Sequence, residues 1–215
     1  MARVRHLNLE TKTKFQIQKS LRLLDAIRLH ETLFALPFAY TGMILAANGF
    51  PSWKQFAWIT VAMVSARILG MCANRIIDRN IDAKNIRTAN RHLPSGRLQL
   101  QDMVILATVA TVIFFISAFN LNSLSFFLAP IAAGYIIVYP YTKRFTWAAN
   151  LMLGWALAIA PTAAWIGVLG SLSWKPVLLS TAVASWASSF DIIYHTQDRD
   201  FYIRNGLYSI AQRFG

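Results

Sequence analysis

Six long apolar runs dominate this chain, and they constrain it more than any other feature. They are Thr32 to Asn48, Phe56 to Ala73, Met103 to Phe119, Leu124 to Tyr139, Trp147 to Leu169 and Val177 to Tyr194. Each approaches the roughly 20 residues a helix needs to cross about 30 Å of hydrocarbon. With 56% of its 215 residues hydrophobic and only 14% charged, the chain is far poorer in charge than the roughly 25% of soluble domains. A disordered chain and a soluble globular domain are both excluded. The expected fold is all-α, a polytopic transmembrane helical bundle. Pro37, Pro130 and Pro161 fall inside spans, where neighbouring helices tolerate a kink. The single cysteine, Cys72, rules out a disulfide framework and a thiolate cluster and reads as packing.

A formal net charge of +12 invites a nucleic-acid partner. The arrangement argues otherwise, because the basic residues lie in short tracts between the apolar runs. Lys and Arg collect on the cytoplasmic side of short membrane loops. Arg3, Arg5, Lys12, Lys14, Lys19, Arg22 and Arg28 precede the first run, and Arg75, Arg79, Lys84, Arg87, Arg91 and Arg97 follow the second. Lys143 and Arg144 follow the fourth, and Arg199, Arg204 and Arg213 follow the sixth. The alternate connectors hold only Lys54 and Lys175, and Arg67 lies within a run. Six spans therefore place both termini in the cytoplasm, including an N-terminal segment 1–30 that lacks the pattern of a removable signal peptide. The partner is a lipid bilayer, with no nucleic acid, and the protein is expected in an inner or cytoplasmic membrane.

Only nine acidic residues occur, and five of them fall in two clusters. In the first, Asn74, Asp78 and Asp82 are spaced i, i+4, i+8 and share one helix face, with Arg67 on the same face. In the second, Asp191, Tyr194 and Asp198 share a face at i, i+3, i+7. Two carboxylate faces opening on the same side of a bundle repel each other unless a cation intervenes. Carboxylate and amide oxygens are hard ligands suited to Mg²⁺, which takes one or two carboxylates plus substrate phosphates. Lys84, Arg87, Arg91, Lys143, Arg144 and Arg199 provide the complementary half of a diphosphate site. Charged residues on a shared face near a membrane are functional by default. The combination describes a site for an amphiphile with a diphosphate head.

The run from Asn74 through Asp78 and Asp82 to Arg87, Arg91 and Leu93-Pro-Ser-Gly96 resembles the first signature of the UbiA family of intramembrane prenyltransferases. Tyr139-Pro-Tyr-Thr-Lys143-Arg144 resembles its short basic loop. Asp191 to Asp198, ending in Gly206-Leu-Tyr-Ser209 and Arg213-Phe-Gly215, is similar to its second signature. The resemblance implies a single prenyltransferase domain over 1–215. It also implies Mg²⁺-dependent transfer of a polyprenyl group from an isoprenyl diphosphate to an aromatic quinone precursor, of the 4-hydroxybenzoate type or the dihydroxynaphthoate type used for menaquinone. Asn74, Asp78, Asp82 and Asp198 would hold Mg²⁺, Tyr139 and Tyr194 would shield an allylic cation, Asp191 would act as base or orienter, and Arg67 would hold an acceptor carboxylate or a phosphate oxygen.

Two departures stand out. Where the family's second motif repeats an acid four residues after Asp198, this chain has Tyr202, and Asp200 at i+2 lies off that face. The family fold has about nine transmembrane helices, against the six that roughly 20 residues per span allow here, so the domain is expected to be truncated at its C-terminus. A non-catalytic or degenerate member of the family is the alternative, and a transporter, which wants charge near the midplane, is the more distant one. His195 reads as lining, His30 and Glu31 as an interfacial pair, and Gly42, Gly70, Gly134 and Gly154 as helix-packing positions.

Overall fold

The computed structural model of the chain describes residue 14 and residues 16–215, and no strand occurs among those residues. The basic residues Arg3, Arg5 and Lys12, like most of the segment expected to precede the first span, lie outside the described residues. Residues 16–26 are helical. Six longer helices follow at the expected positions: α1 Thr32–Ala47, α2 Trp53–Asp82, α3 Leu100–Leu121, α4 Ser123–Val138, α5 Ala149–Leu169 and α6 Trp174–His195. Two short helices, α7 Arg199–Arg204 and α8 Ile210–Phe214, complete the order.

Among the described residues, five spans are long and apolar enough to cross a membrane. The remaining expected span, the first in the chain, is shorter. Helix α1 has 16 residues, about 24 Å of helix, because a 3-10 turn over Leu29–Glu31 precedes it and Asn48 closes it with φ 52°. The chain is thus an all-helical integral membrane protein, as its apolar runs imply.

Local chemistry explains the ends. Ser52 and Gln55 form a capping box at the start of α2, each side chain reaching the other's backbone. Asn122 accepts from the backbone of Ser125 at the start of α4 and donates to Ile166 O of α5 at 2.8 Å. At that same end Gln55 donates to Val168 O at 3.0 Å.

Helix α5 packs against α6 on one side and α1 on the other, while α2 packs against α3 and α4. Glycines permit the closest approaches. A Cβ at Gly42 would fall 2.7 Å from Pro161 Cα, and one at Gly154 would fall 2.5 Å from Ala184 O. Gly70 meets only Ile136, at 3.1 Å, and Gly134 meets nothing within 4 Å, so the expectation that Gly134 packs a helix is corrected. The opposite end of the bundle, reached by residues 83–98, the 3-10 segment Tyr139–Arg144 and the C-terminal segment, carries the charge.

Candidate active site at the basic end of the bundle

Helix α2 runs without a break to Asp82, so the i, i+4 spacing delivers Asp78 and Asp82 to one end of the bundle, both buried. Each meets a cation contributed by a connector. Lys143 Nζ forms an ion pair with Asp78 Oδ2, and Arg144 Nη2 lies 3.9 Å from Oδ1. Arg91 Nη1 donates to both oxygens of Asp82, at 2.9 and 2.7 Å. Residues 83–98 are a run of turns, anchored where Thr88 Oγ1 donates to Asp82 O at 3.0 Å. That anchorage returns Arg91 to the helix end.

The second cluster departs from its expected geometry. Helix α6 ends at His195, and Asp198 closes a 3-10 turn over Thr196–Asp198. Asp191, Tyr194 and Asp198 therefore do not line a continuous helix face, since a 3-10 turn advances three residues per turn. Asp198 is nonetheless buried. It accepts from Arg87 Nε at 3.0 Å and from Asn85 Nδ2 at 2.9 Å, and Arg87 Nη2 pairs with its other oxygen. Its hydrogen bond to that carboxylate holds the Arg87 guanidinium above its ordinary pKa. Arg87 also donates to Tyr194 Oη at 2.7 Å, with its guanidinium 4.9 Å from the ring centroid.

Asp191 is buried and accepts from Asn150 Nδ2 at 2.8 Å. Asn150 Oδ1 in turn accepts from the backbone N–H of Ile210 at 3.0 Å. Tyr208 N donates to Lys143 O at 2.8 Å, so the C-terminal segment is fastened to both α5 and the 3-10 segment. A cavity of about 50 Å³ opens among Asn74, Tyr139, Lys143, Asp191, His195 and Tyr202.

Several expected residues sit elsewhere. Arg67 pairs with Glu31 at 3.1 Å, and Glu31 also takes Arg28 at 2.6 Å, so Glu31 does not pair with His30 as expected. Lys84 is exposed, and Arg199, 44% exposed along its side chain, lies 3.9 Å from Asp200. Neither joins the ion-paired carboxylates. Among the described residues no three acidic, histidine or cysteine side chains gather as a metal site. Of the expected set Asn74, Asp78, Asp82 and Asp198, the three carboxylates are instead paired with Lys143, Arg91 and Arg87 in turn. The donor chemistry still fits Mg²⁺, because Asp78 Oδ1 is a buried carboxylate oxygen with no hydrogen-bond donor among the described residues.

Sequence reasoning missed Asn85, Asn150 and the role of Glu31. Asn150 carried a signal, being a lone amide within an apolar run. Asn85 carried none, and Glu31 only its i, i+3 spacing from Arg28, since the contacts with Asp198 and Arg67 are distant in the chain.

A polytopic helical membrane protein, with acidic residues of two distant segments answered by basic connectors at one end, is the class that fold and geometry define. The chain belongs to the UbiA prenyltransferase family, whose model matches residues 35–215. It is 32% identical over 173 residues to the 4-hydroxybenzoate octaprenyltransferase of Aliivibrio salmonicida (strain LFI1238), a match covering 80% of this chain and 61% of that protein. The apo structure of a UbiA homolog from Aeropyrum pernix K1 superposes with a TM-score of 0.82 at 32% identity, over 87% of this chain and 70% of that one. A UbiA homolog from Archaeoglobus fulgidus bound to GPP and Mg²⁺ shares the fold, with a TM-score of 0.69 at 18% identity, over 89% of this chain and 69% of that one.

Proposed function

We propose that residues 1–215 form a prenyltransferase domain that transfers a polyprenyl group from an isoprenyl diphosphate to an aromatic quinone precursor, on the cytoplasmic side of the membrane and with Mg²⁺. The observation that carries this reading is the bridge from Arg87, just after the first acidic segment, to Asp198 in the second. It ties together two carboxylate segments far apart in the chain, beside further cations, as a diphosphate head requires. The names of the relatives support the 4-hydroxybenzoate class of acceptor, and the Archaeoglobus fulgidus homolog's bound GPP and Mg²⁺ support the donor and the ion.

Asn74, Asp78, Asp82 and Asp198 would hold Mg²⁺, which when bound supplies a Lewis acid for the leaving diphosphate. Lys143, Arg87 and Arg91 would leave their carboxylates to hold phosphate oxygens, where guanidinium groups bind bidentately. Arg144 stands behind Lys143 with a 2.6 Å hydrogen bond to Ile77 O. Tyr139 and Tyr194 would face the allylic cation that ionisation leaves. Asp191 would orient the acceptor or its base, and Arg67, released from Glu31, would hold an acceptor carboxylate.

The test is binding of a non-hydrolysable prenyl thiodiphosphate to the purified chain with and without Mg²⁺. Mg²⁺-dependent binding that Asp78→Ala abolishes, in a variant that remains helical, is the expected result. Binding that ignores both Mg²⁺ and Asp78→Ala overturns the reading. A non-catalytic member is the second reading, and it rests on Tyr202, which is buried with its ring packed on His195. Tyr202→Asp should raise Mg²⁺-dependent binding if the site is catalytic, and no gain favours the second reading.

A further inference from the structure

We infer that His195 is the base that removes the ring proton in prenyl transfer, oriented by Asp191 and Asn150; the inference rests on the prenyl-transfer reading above. His195 Nδ1 lies 2.9 Å from the backbone oxygen of Asp191 and 3.2 Å from its carboxylate Oδ1. Both are pure acceptors, so the proton belongs on Nδ1. Asn150 Nδ2, 3.3 Å from the same nitrogen, already donates to Asp191 Oδ2 at the shorter distance of 2.8 Å. The lone pair is thereby assigned to Nε2, on the far side of the ring. The imidazole lines the cavity shared with Asn74, Lys143 and Asp191. It is held nearly edge-on between Tyr194 and Tyr202, with centroids 6.2 and 5.5 Å away. Asn150, 2% exposed, locks the arrangement, because its amide oxygen is occupied by Ile210 N–H and its nitrogen is thereby aimed at Asp191. A carboxylate that fixes one imidazole nitrogen as donor leaves the other as acceptor, which is the arrangement of a general base.

The chemistry balances. A bond forms between the prenyl C1 and a ring carbon while the C1–O bond breaks and diphosphate departs with its electron pair. That ring carbon then carries both the prenyl group and its original hydrogen. Its C–H bond breaks, the electron pair restores the aromatic ring, and the proton moves to Nε2. The imidazolium is paired with Asp191 until it loses the proton to water as product leaves.

The full chain in nanodiscs, with Mg²⁺, a prenyl diphosphate and a ring-deuterated 4-hydroxybenzoate, decides the matter. Wild-type turnover should show little isotope effect. His195→Ala should lose about 100-fold or more in turnover, gain a primary isotope effect as proton removal becomes limiting, bind the thiodiphosphate as wild type does, and recover with added imidazole. Asp191→Asn, which can donate to Nδ1 and so move the proton to Nε2, should lose turnover comparably, with the tautomer exchanged in imidazole ¹⁵N spectra. His195→Ala that turns over as wild type does, without an isotope effect, overturns the base while leaving prenyl transfer standing. A wild-type chain that neither binds the thiodiphosphate nor releases diphosphate overturns the prenyl-transfer reading, and the base with it.

Discussion

Asp78 shows how one residue's surroundings set its cost. Its carboxylate is 2% exposed, and the Lys143 ammonium is its ion-pair partner. Removing one member of a buried pair strands the other, at a cost of about 3 to 5 kcal/mol. Lys143→Met is therefore expected to lower stability by about 3 kcal/mol, and adding Asp78→Asn should recover a large part of it. Thermal unfolding of the single and double variants in one detergent, without Mg²⁺, checks both statements. The candidate carboxylates themselves were legible, because nine acids in so apolar a chain leave few places for chemistry. Their partners were only half legible. The basic residues of the connectors could be named as a group, but which cation meets which carboxylate depends on how residues 83–98 and the Tyr139–Arg144 turn fold back. Asn85 and Asn150 are neutral amides, and no charge marks them in the sequence.

At the scale of the element, span centres were readable from hydrophobic length and span ends were not. Helix α2 continues to Asp82 although its last turns are polar, since Asp78 and Asp82 are buried and Asn74 lines the cavity. Helix α6 yields to a 3-10 turn at Thr196, a change of period that no apolar pattern marks. The seam between α5 and α6 links packing to the site, because Gly154 lies one turn from Asn150, and Ala184 and Ser188 lie below Asp191 on the facing helix. Gly154→Ala is expected to cost about 1 to 3 kcal/mol by overpacking, and to lower turnover as the Asn150–Asp191 contact opens. Gly134→Ala is the control. A methyl group there meets nothing within 4 Å, so it should be neutral or stabilise by up to about 1 kcal/mol through helix propensity. Unfolding midpoints of the two variants, read side by side, separate a packing glycine from a free one.

For the whole molecule, the alternation of basic and nearly uncharged connectors proved to be a spatial statement. The basic connectors meet at one end, through Lys19 with Asp102 at 2.6 Å, Arg91 with Asp82 and Arg87 with Asp198. Neutral contacts from Gln55 and Asn122 join the helices at the other end. The fold shares its path with UbiA relatives of which it spans only part, 61% of the Aliivibrio salmonicida protein. The same charge asymmetry supports the proposal that the site faces the cytoplasm. Cys72, fully buried, offers little background to a thiol reagent. Ile86, 94% exposed in the basic connector, and Leu172, 62% exposed at the opposite end, are suitable reporters. With a membrane-impermeant maleimide, Ile86→Cys should label in inverted vesicles and resist in intact cells, and Leu172→Cys should do the reverse. The opposite pattern would put the basic end outside, contrary to the retention of cationic loops in the cytoplasm, and would move the proposed diphosphate site to the wrong face for a donor supplied from the cytosol.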